Sequence, residues 1–211
     1  MPRGWFITFE GGEGTGKSTQ LDRLGRWLAE RRREVVVTRE PGGTPLAEAA
    51  RAILLDPAHE PDGLSELFLL EAARHDHVRR VILPALENGA VVLCDRYADS
   101  SLVYQGMVRG VGEEVAAQLN RIATGGLDPD LTLVFDLEPE LALTRVRHRN
   151  RRGCEGQSRL DDEPEPFHAA IREGFRRLAA LFPERVRLVD ARGEADEIFA
   201  RVLAALPEGL A

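Results

Sequence analysis

The stretch Trp5–Thr19, WFITFEGGEGTGKST, decides how the rest of the chain is read. Trp5–Glu10 is a short apolar run rich in β-branched and aromatic residues that stops at glycines, which predicts a buried strand entering a tight turn. Gly11–Ser18 (GGEGTGKS) matches the spacing G-x-x-x-x-G-K-[ST], and a helical pattern follows over Ser18–Arg33, with Leu21, Leu24, Trp27 and Leu28 on one face. Strand, glycine loop and helix in that order are the context a phosphate-cradling loop requires. Glycine has no Cβ, so successive backbone N–H groups can turn inward on an anion, and the helix behind them adds its positive end. In such a loop Lys17 reaches the β- and γ-phosphates of ATP and the Ser18 hydroxyl ligates Mg²⁺, while Gly11, Gly12, Glu13, Gly14, Thr15, Gly16 and Thr19 complete the cradle. A glycine turn with a surface lysine is the plain alternative. Of the 28 Lys and Arg residues, however, Lys17 is the only lysine, and it stands where the motif needs one.

Working outward, apolar runs at Val35–Thr38, Ala90–Cys94, Leu131–Phe135 and Val186–Val189 predict four more strands. Helical periodicity covers Pro45–Leu55, Leu64–Leu86, Glu113–Thr124, Glu140–Arg147, Glu165–Phe182 and Ala195–Leu206, and Asn150–Ser158 reads as a mobile loop. Continuous apolar strands alternating with helices mean an α/β fold, a five-stranded parallel sheet covered on both faces in the three-layer manner of P-loop NTPases. The expectation is one P-loop domain over 1–211, in which the loop fixes nucleoside-triphosphate use but not the reaction, since GTPases, motor ATPases and small-molecule kinases share it. Ligands in such folds sit at the carboxyl ends of the strands, where GGEGTGKST, REPGGT, DRYADSS and DARGE all fall.

The net charge of −7 argues against nucleic acid as a partner, because phosphate-backbone binding shows as a basic excess. No stretch approaches the roughly 18 apolar residues of a membrane helix, and MPRGWFITFEGG lacks signal-peptide anatomy, so a cytoplasmic protein is expected. Cys94 and Cys154 read as free thiols, and His59, His75, His77, His148 and His168 have no metal-ligand spacing.

Beyond the glycine loop, the motifs FEGGEGTGKSTQ, TREPGGTPLAE, EAAR and DRYADSSLVYQG, the arginine-rich stretch after Glu140–Arg147 and a final VDA resemble bacterial thymidylate kinase, in that family's order and over nearly the whole chain. The resemblance implies ATP and dTMP as substrates, Mg²⁺ as cofactor, a homodimer, and a role in dTTP supply. It assigns Arg39, Arg51 and Arg96 to the acceptor phosphate, with Arg96 also reaching the transferring group, and Arg74 to the base. Arginine suits a phosphate dianion, since its planar donors bind bidentately. Glu13 is unexpected in a phosphate cradle, because a carboxylate repels the anion; by resemblance it turns away and accepts from the acceptor's 3′-hydroxyl. Asp95, closing the third strand, would help Ser18 hold Mg²⁺ directly or through water. Ser101, Tyr104 and Gln105 fall where the family reads base and sugar. One position departs. Leu70 stands where the family commonly has phenylalanine, and an aliphatic side chain covers a base without the roughly 0.5–1.5 kcal/mol of aromatic stacking.

Arg145–Arg152 (RVRHRNRR) taken alone reads as a solvated basic face or a nucleic-acid arm. By resemblance it enters a LID, about 148–162, that delivers a catalytic arginine: Arg149 first, then Arg147 and Arg152. Three rival readings stay open: a kinase for another nucleotide, a nucleotide-gated switch, and a nucleic-acid-binding ATPase.

Overall fold

The computed structural model describes residues 3–151 and 163–210, residues 149–151 by backbone alone. Its five strands are β1 (Phe6–Glu10), β2 (Val35–Arg39), β3 (Val91–Asp95), β4 (Leu131–Asp136) and β5 (Val186–Asp190), all parallel in the order β2-β3-β1-β4-β5. The three central strands are buried almost end to end, whereas β2 and β5 are partly exposed, as edges must be.

Alternation along the strands divides the core into two layers. Ile7, Phe9, Leu131, Leu133 and Phe135 pack with Leu21, Leu24 and Leu28 of α1 (Lys17–Glu30) and with Ile198 and Val202 of α9 (Ala195–Ala204). Phe6, Val92 and Cys94 point the other way, onto Val78, Ile82, Leu86 and Tyr97, while Val134 and Val186 meet Ile171, Phe175 and Leu178 of α8 (Glu165–Leu181). The fold class read from the sequence is the one observed.

The helices differ in detail. The pattern over Leu64–Leu86 splits into α3 (Gly63–His77), a π-helical turn (Val78–Ile82) and α4 (Leu83–Glu87). Pro84 has no N–H for the carbonyl four residues back, and just before it the ladder widens, with the Leu83 N–H donating to Val78 O. The polar run after β3, read without a helix, forms α5 (Ala98–Ser101) and a second π-helical segment, Leu102–Val108. α7 (Pro139–Arg151) runs past the predicted end at Arg147 into the span read as a loop, because arginines are good helix formers and favoured near a carboxyl end. The remaining helices are α2 (Pro45–Leu55) and α6 (Glu113–Thr124).

Candidate active site

β1 ends at Glu10 and the chain turns through the glycine loop into α1. Gly14 has φ +72°, and a Cβ there would lie 2.2 Å from Ala142 O of α7; Gly11, at φ +131°, would meet Phe135 O at 2.7 Å. Only glycine fits both the backbone conformation and the space. Gly16, left-handed at φ 89°, is the N-cap of α1. Lys17 folds back over the loop, its Nζ donating to Gly12 O at 2.7 Å and Gly11 O at 3.1 Å. Burial, and after it the cation of Arg96, lowers the Lys17 ammonium to about 8. Ser18 Oγ, in the first turn of α1, donates at 2.7 Å to Oδ2 of Asp95 at the end of β3. Thr15 is buried and bonds Gly12 O, while Thr19 is exposed.

Ser18 and Asp95 suit Mg²⁺, which takes hard oxygen donors and keeps most of its shell for water and phosphates. Among the described residues no cluster of three or more His, Cys, Asp or Glu could hold a metal, and a site built on one carboxylate and one hydroxyl would not form such a cluster.

Arg96 follows β3 with a left-handed backbone, φ 69°, uncommon for a side-chain-bearing residue. Its guanidinium pairs with Glu13 at 2.5 Å, donates to Gly11 O and Ser100 Oγ at 3.2 Å each, and lies 5.1 Å from the Tyr104 ring centroid. Tyr104 Oη reaches Glu13 at 3.5 Å. The structure therefore brings together Glu13, Lys17 and Ser18 of the glycine loop and first turn of α1, Asp95 and Arg96 at the end of β3, and Tyr104 of the π-helical segment Leu102–Val108.

A second cationic group flanks it, because Arg39 is in register with Asp95 on the neighbouring strand. Arg39 grips both carboxylate oxygens of Glu48 at 3.0 Å, and Arg51 donates to Pro41 O at 3.1 Å. The Gly43 N–H, then Arg39 and Arg51, hold the Glu48 carboxyl below its usual range, whereas burial and then Arg39 press Arg51 below its own. Crowded, partly buried cations of this kind are stabilised by an arriving anion.

α3 supplies the third group. Glu66, Leu70 and Arg74 recur at every fourth residue and so share one helix face. Glu66 accepts from Gln105 Nε2 at 2.5 Å, Arg74 donates to Ser101 Oγ at 2.9 Å, and Leu70 is half-buried between them. Gln105 Oε1 is buried without a partner among the described residues. Phe68 does not substitute for an aromatic at position 70, since it is 54% exposed on another face. Arg74 is more committed than its base-contacting assignment implies. Its Nε donates to Glu40 at 2.7 Å, Nη1 to Glu71 and Asn120, and Nη2 to Tyr97 O and Ser101 Oγ, so every N–H already has a partner. A contact with a base would require one of these to be shared.

Arg147 is exposed on α7; the side chain of Arg149, and Arg152 with most of the predicted LID, lie outside the described residues. Sequence reading passed over Glu10, Glu40, Glu48, His77 and Ser100. The one local signal was a carboxylate, Glu10, closing an otherwise apolar strand. A cleft also opens beside the loop, against Asp136, Leu143, His168 and Arg172.

The thymidylate kinase family model matches residues 9–202 of this chain. Thymidylate kinase of Nitratidesulfovibrio vulgaris is 51% identical over 208 residues, covering 95% of this chain and 95% of the relative. That of Deinococcus radiodurans is 47% identical over 208 residues, covering 99% and 98%. The crystal structure of thymidylate kinase from Ehrlichia chaffeensis is similar with a TM-score of 0.77 at 32% identity, covering 98% of this chain and 100% of that one.

Proposed function

This chain belongs to the thymidylate kinase family and is thereby a nucleoside monophosphate kinase, and we propose that it transfers the γ-phosphoryl group of Mg·ATP to dTMP, giving dTDP and ADP for dTTP synthesis. The observation that carries the reading is the pairing of two anion sites. The Lys17 loop and the Arg39–Arg51–Arg96 group lie side by side: Arg96 lowers the Lys17 ammonium, and Arg39 and Arg96 lower Arg51.

An oxygen of the dTMP phosphate attacks the γ-phosphorus, the bond to the ADP oxygen breaks, and no general base is needed because that oxygen is already a nucleophile. Lys17 exchanges its loop carbonyls for phosphate oxygens. Arg39, Arg51 and Arg96 hold the acceptor phosphate and offset its repulsion from ATP. Ser18 and Asp95 would hold Mg²⁺, which when bound neutralises charge on the β- and γ-oxygens. Glu13, released from Arg96, accepts from the 3′-hydroxyl; Leu70, Ser101, Tyr104 and Gln105 face the nucleoside. An arginine from the end of α7 or the residue after it (Arg149, Arg147 or Arg152) completes the charge stabilisation, and closure of the LID excludes water.

ADP release from Mg·ATP, measured with no acceptor and with dTMP, dUMP, dGMP, dCMP or UMP, tests this. Strong stimulation by dTMP alone is expected. Equal stimulation by dUMP would show that Leu70 has relaxed the thymine preference, and no stimulation by any acceptor would sink the kinase reading in favour of a switch. The same assay on single alanine variants at 147, 149 and 152 ranks the three arginines.

The implied homodimer has a candidate face. α3 packs between α2 and α6, and their outer surfaces expose Leu46 and Ile53, Leu64 and Phe68, and Val115 and Ile122. Large apolar side chains exposed on three neighbouring helices are the kind of surface that marks an interface. Light scattering should give twice the chain mass for the native protein and the chain mass for Ile122→Glu combined with Phe68→Glu. Two equal masses at the monomer value would exclude the dimer.

No helix among the described residues is long and apolar enough to cross a membrane.

A further inference from the structure

Glu10 takes no part in the chemistry above, yet it is a fully buried carboxylate one residue before the glycine loop. Its strand parity, shared with Phe6 and Thr8, aims it away from α1 and into the segment that follows Arg96. Burying a carboxylate is unfavourable unless hydrogen bonds compensate it. Burial, and then the Asp99 carboxylate, push this one up to about 8, so it is held where an apolar side chain would be cheaper.

Its partners show what it holds. Glu10 accepts from the Tyr97 backbone N–H at 2.8 Å and from Ser100 Oγ at 2.6 Å. Ser100 Oγ in turn accepts from Arg96 Nη1 at 3.2 Å. The Arg96 backbone N–H donates to Phe9 O at 3.0 Å, next to Glu10 in β1. Arg96 is thus fixed from both sides: its left-handed backbone lies between two contacts from the end of β1, and its guanidinium rests on Ser100 and Gly11 O. A non-glycine residue keeps such a backbone only where its surroundings over-determine it.

We propose that Glu10 is a positioning residue, acting through Ser100 Oγ and the Tyr97 N–H to hold the Arg96 guanidinium in register with the glycine loop. This rests on the reading of Arg96 as a phosphate-binding side chain.

A double-mutant cycle tests it with Glu10→Gln, Ser100→Ala and Arg96→Lys. Glutamine keeps the size of Glu10 and can still accept from Tyr97 N–H, but its amide nitrogen can only donate toward Ser100 Oγ, which reverses the hydrogen bond that Ser100 donates to the ionised Glu10. A displacement near 1 Å costs up to about 10²-fold in rate, so Glu10→Gln should lower kcat with dTMP roughly 10- to 100-fold and raise the KM for dTMP. The KM for ATP should change by less than about twofold, because Arg96 lies on the acceptor side. Ser100→Ala, which deletes one hydroxyl and leaves Tyr97 N–H engaged, should reproduce part of the loss even if Glu10→Gln folds poorly. In the Arg96→Lys background the further cost of Glu10→Gln should shrink to about twofold or less.

Equal losses from Glu10→Gln in both backgrounds, or Ser100→Ala with native kinetics, would overturn the inference while leaving the kinase reading intact. Native kinetics for Arg96→Lys would instead remove the phosphate-binding role of Arg96, a failure of the underlying reading.

Discussion

Lys17→Met is expected to lower dTMP-dependent ADP release by about 10²–10³-fold, the scale set by deleting one preorganised charge from a transition-state cradle. Methionine keeps an unbranched apolar stem of similar length, so the loop glycines and the start of α1 keep their packing. What is lost is the ammonium now resting on Gly11 O and Gly12 O. Its pH behaviour gives a second readout. Burial, and after it Arg96, hold the Lys17 ammonium near 8 in the ligand-free protein, with Glu13, Asp95 and Glu10 acting in the opposite sense. Phosphate favours the charged form, so binding raises this pKa. Nucleotide binding above pH 8 must then take up a proton, and affinity should fall as pH rises through about 8 and beyond. Calorimetry in buffers of differing ionisation enthalpy measures that uptake directly. Glu10 also titrates near 8 and remains in place in the variant, so the difference between the two proteins isolates Lys17. Wild-type turnover in Lys17→Met would mean that the glycine loop is not the nucleotide cradle.

Arg74→Met should be the most damaging change to stability among the residues at the site, by about 3–5 kcal/mol, because it strands buried carboxylates whose counter-charge is gone. Arg74 is 2% exposed, and Glu40 and Glu71 beside it are 4% and 8% exposed. Glu40 also accepts from His77 Nδ1 at 2.9 Å, and His77 Nε2 bonds Thr38 Oγ1 at 2.7 Å, so the network reaches from α3 to the end of β2. Methionine can donate to neither acid. For a chain of this size the loss corresponds to a melting temperature lower by roughly 6–20 °C. The sign of its pH dependence follows from Glu71, which burial pushes up even with Arg74 opposing. A carboxyl raised in the folded state contributes stability at low pH and loses it as pH rises through its folded value. The deficit of Arg74→Met should therefore be smaller near pH 5 than near pH 8, as melting curves at the two values would show. A deficit independent of pH and below about 1 kcal/mol would mean that the acids find other partners.

The contrast between these two residues shows where sequence reading stops. Lys17 was legible because everything that defines it lies within a few positions: a strand ending in glycines, the spacing to Ser18, and a helix beginning at once. Arg74 carried a label by family resemblance, but not its environment. Glu40 lies 34 residues before it and Asn120 lies 46 after, and no local spacing announces either. Glu10 looked like the last residue of a strand, and its partner Ser100 is 90 residues away. The π-helical segment that carries Tyr104 and Gln105 was missed for a related reason: a widened turn depends on what packs against it, and apolar periodicity at this length does not separate it from an α-helix.

By itself the sequence determined the parallel α/β architecture and the spacing of the glycine loop, because strand patterning, glycine turns and helix starts are set by neighbours in the chain; the expected site residues outside that loop rested on the family resemblance. Only the tertiary structure decided which charges meet. It paired Glu13 with Arg96 and Glu48 with Arg39, it occupied every donor of Arg74, and it put a buried carboxylate at Glu10 behind the Arg96 turn. Ion pairs and buried hydrogen bonds depend on distance and burial in space, and those exist only once the strands have paired across the sheet.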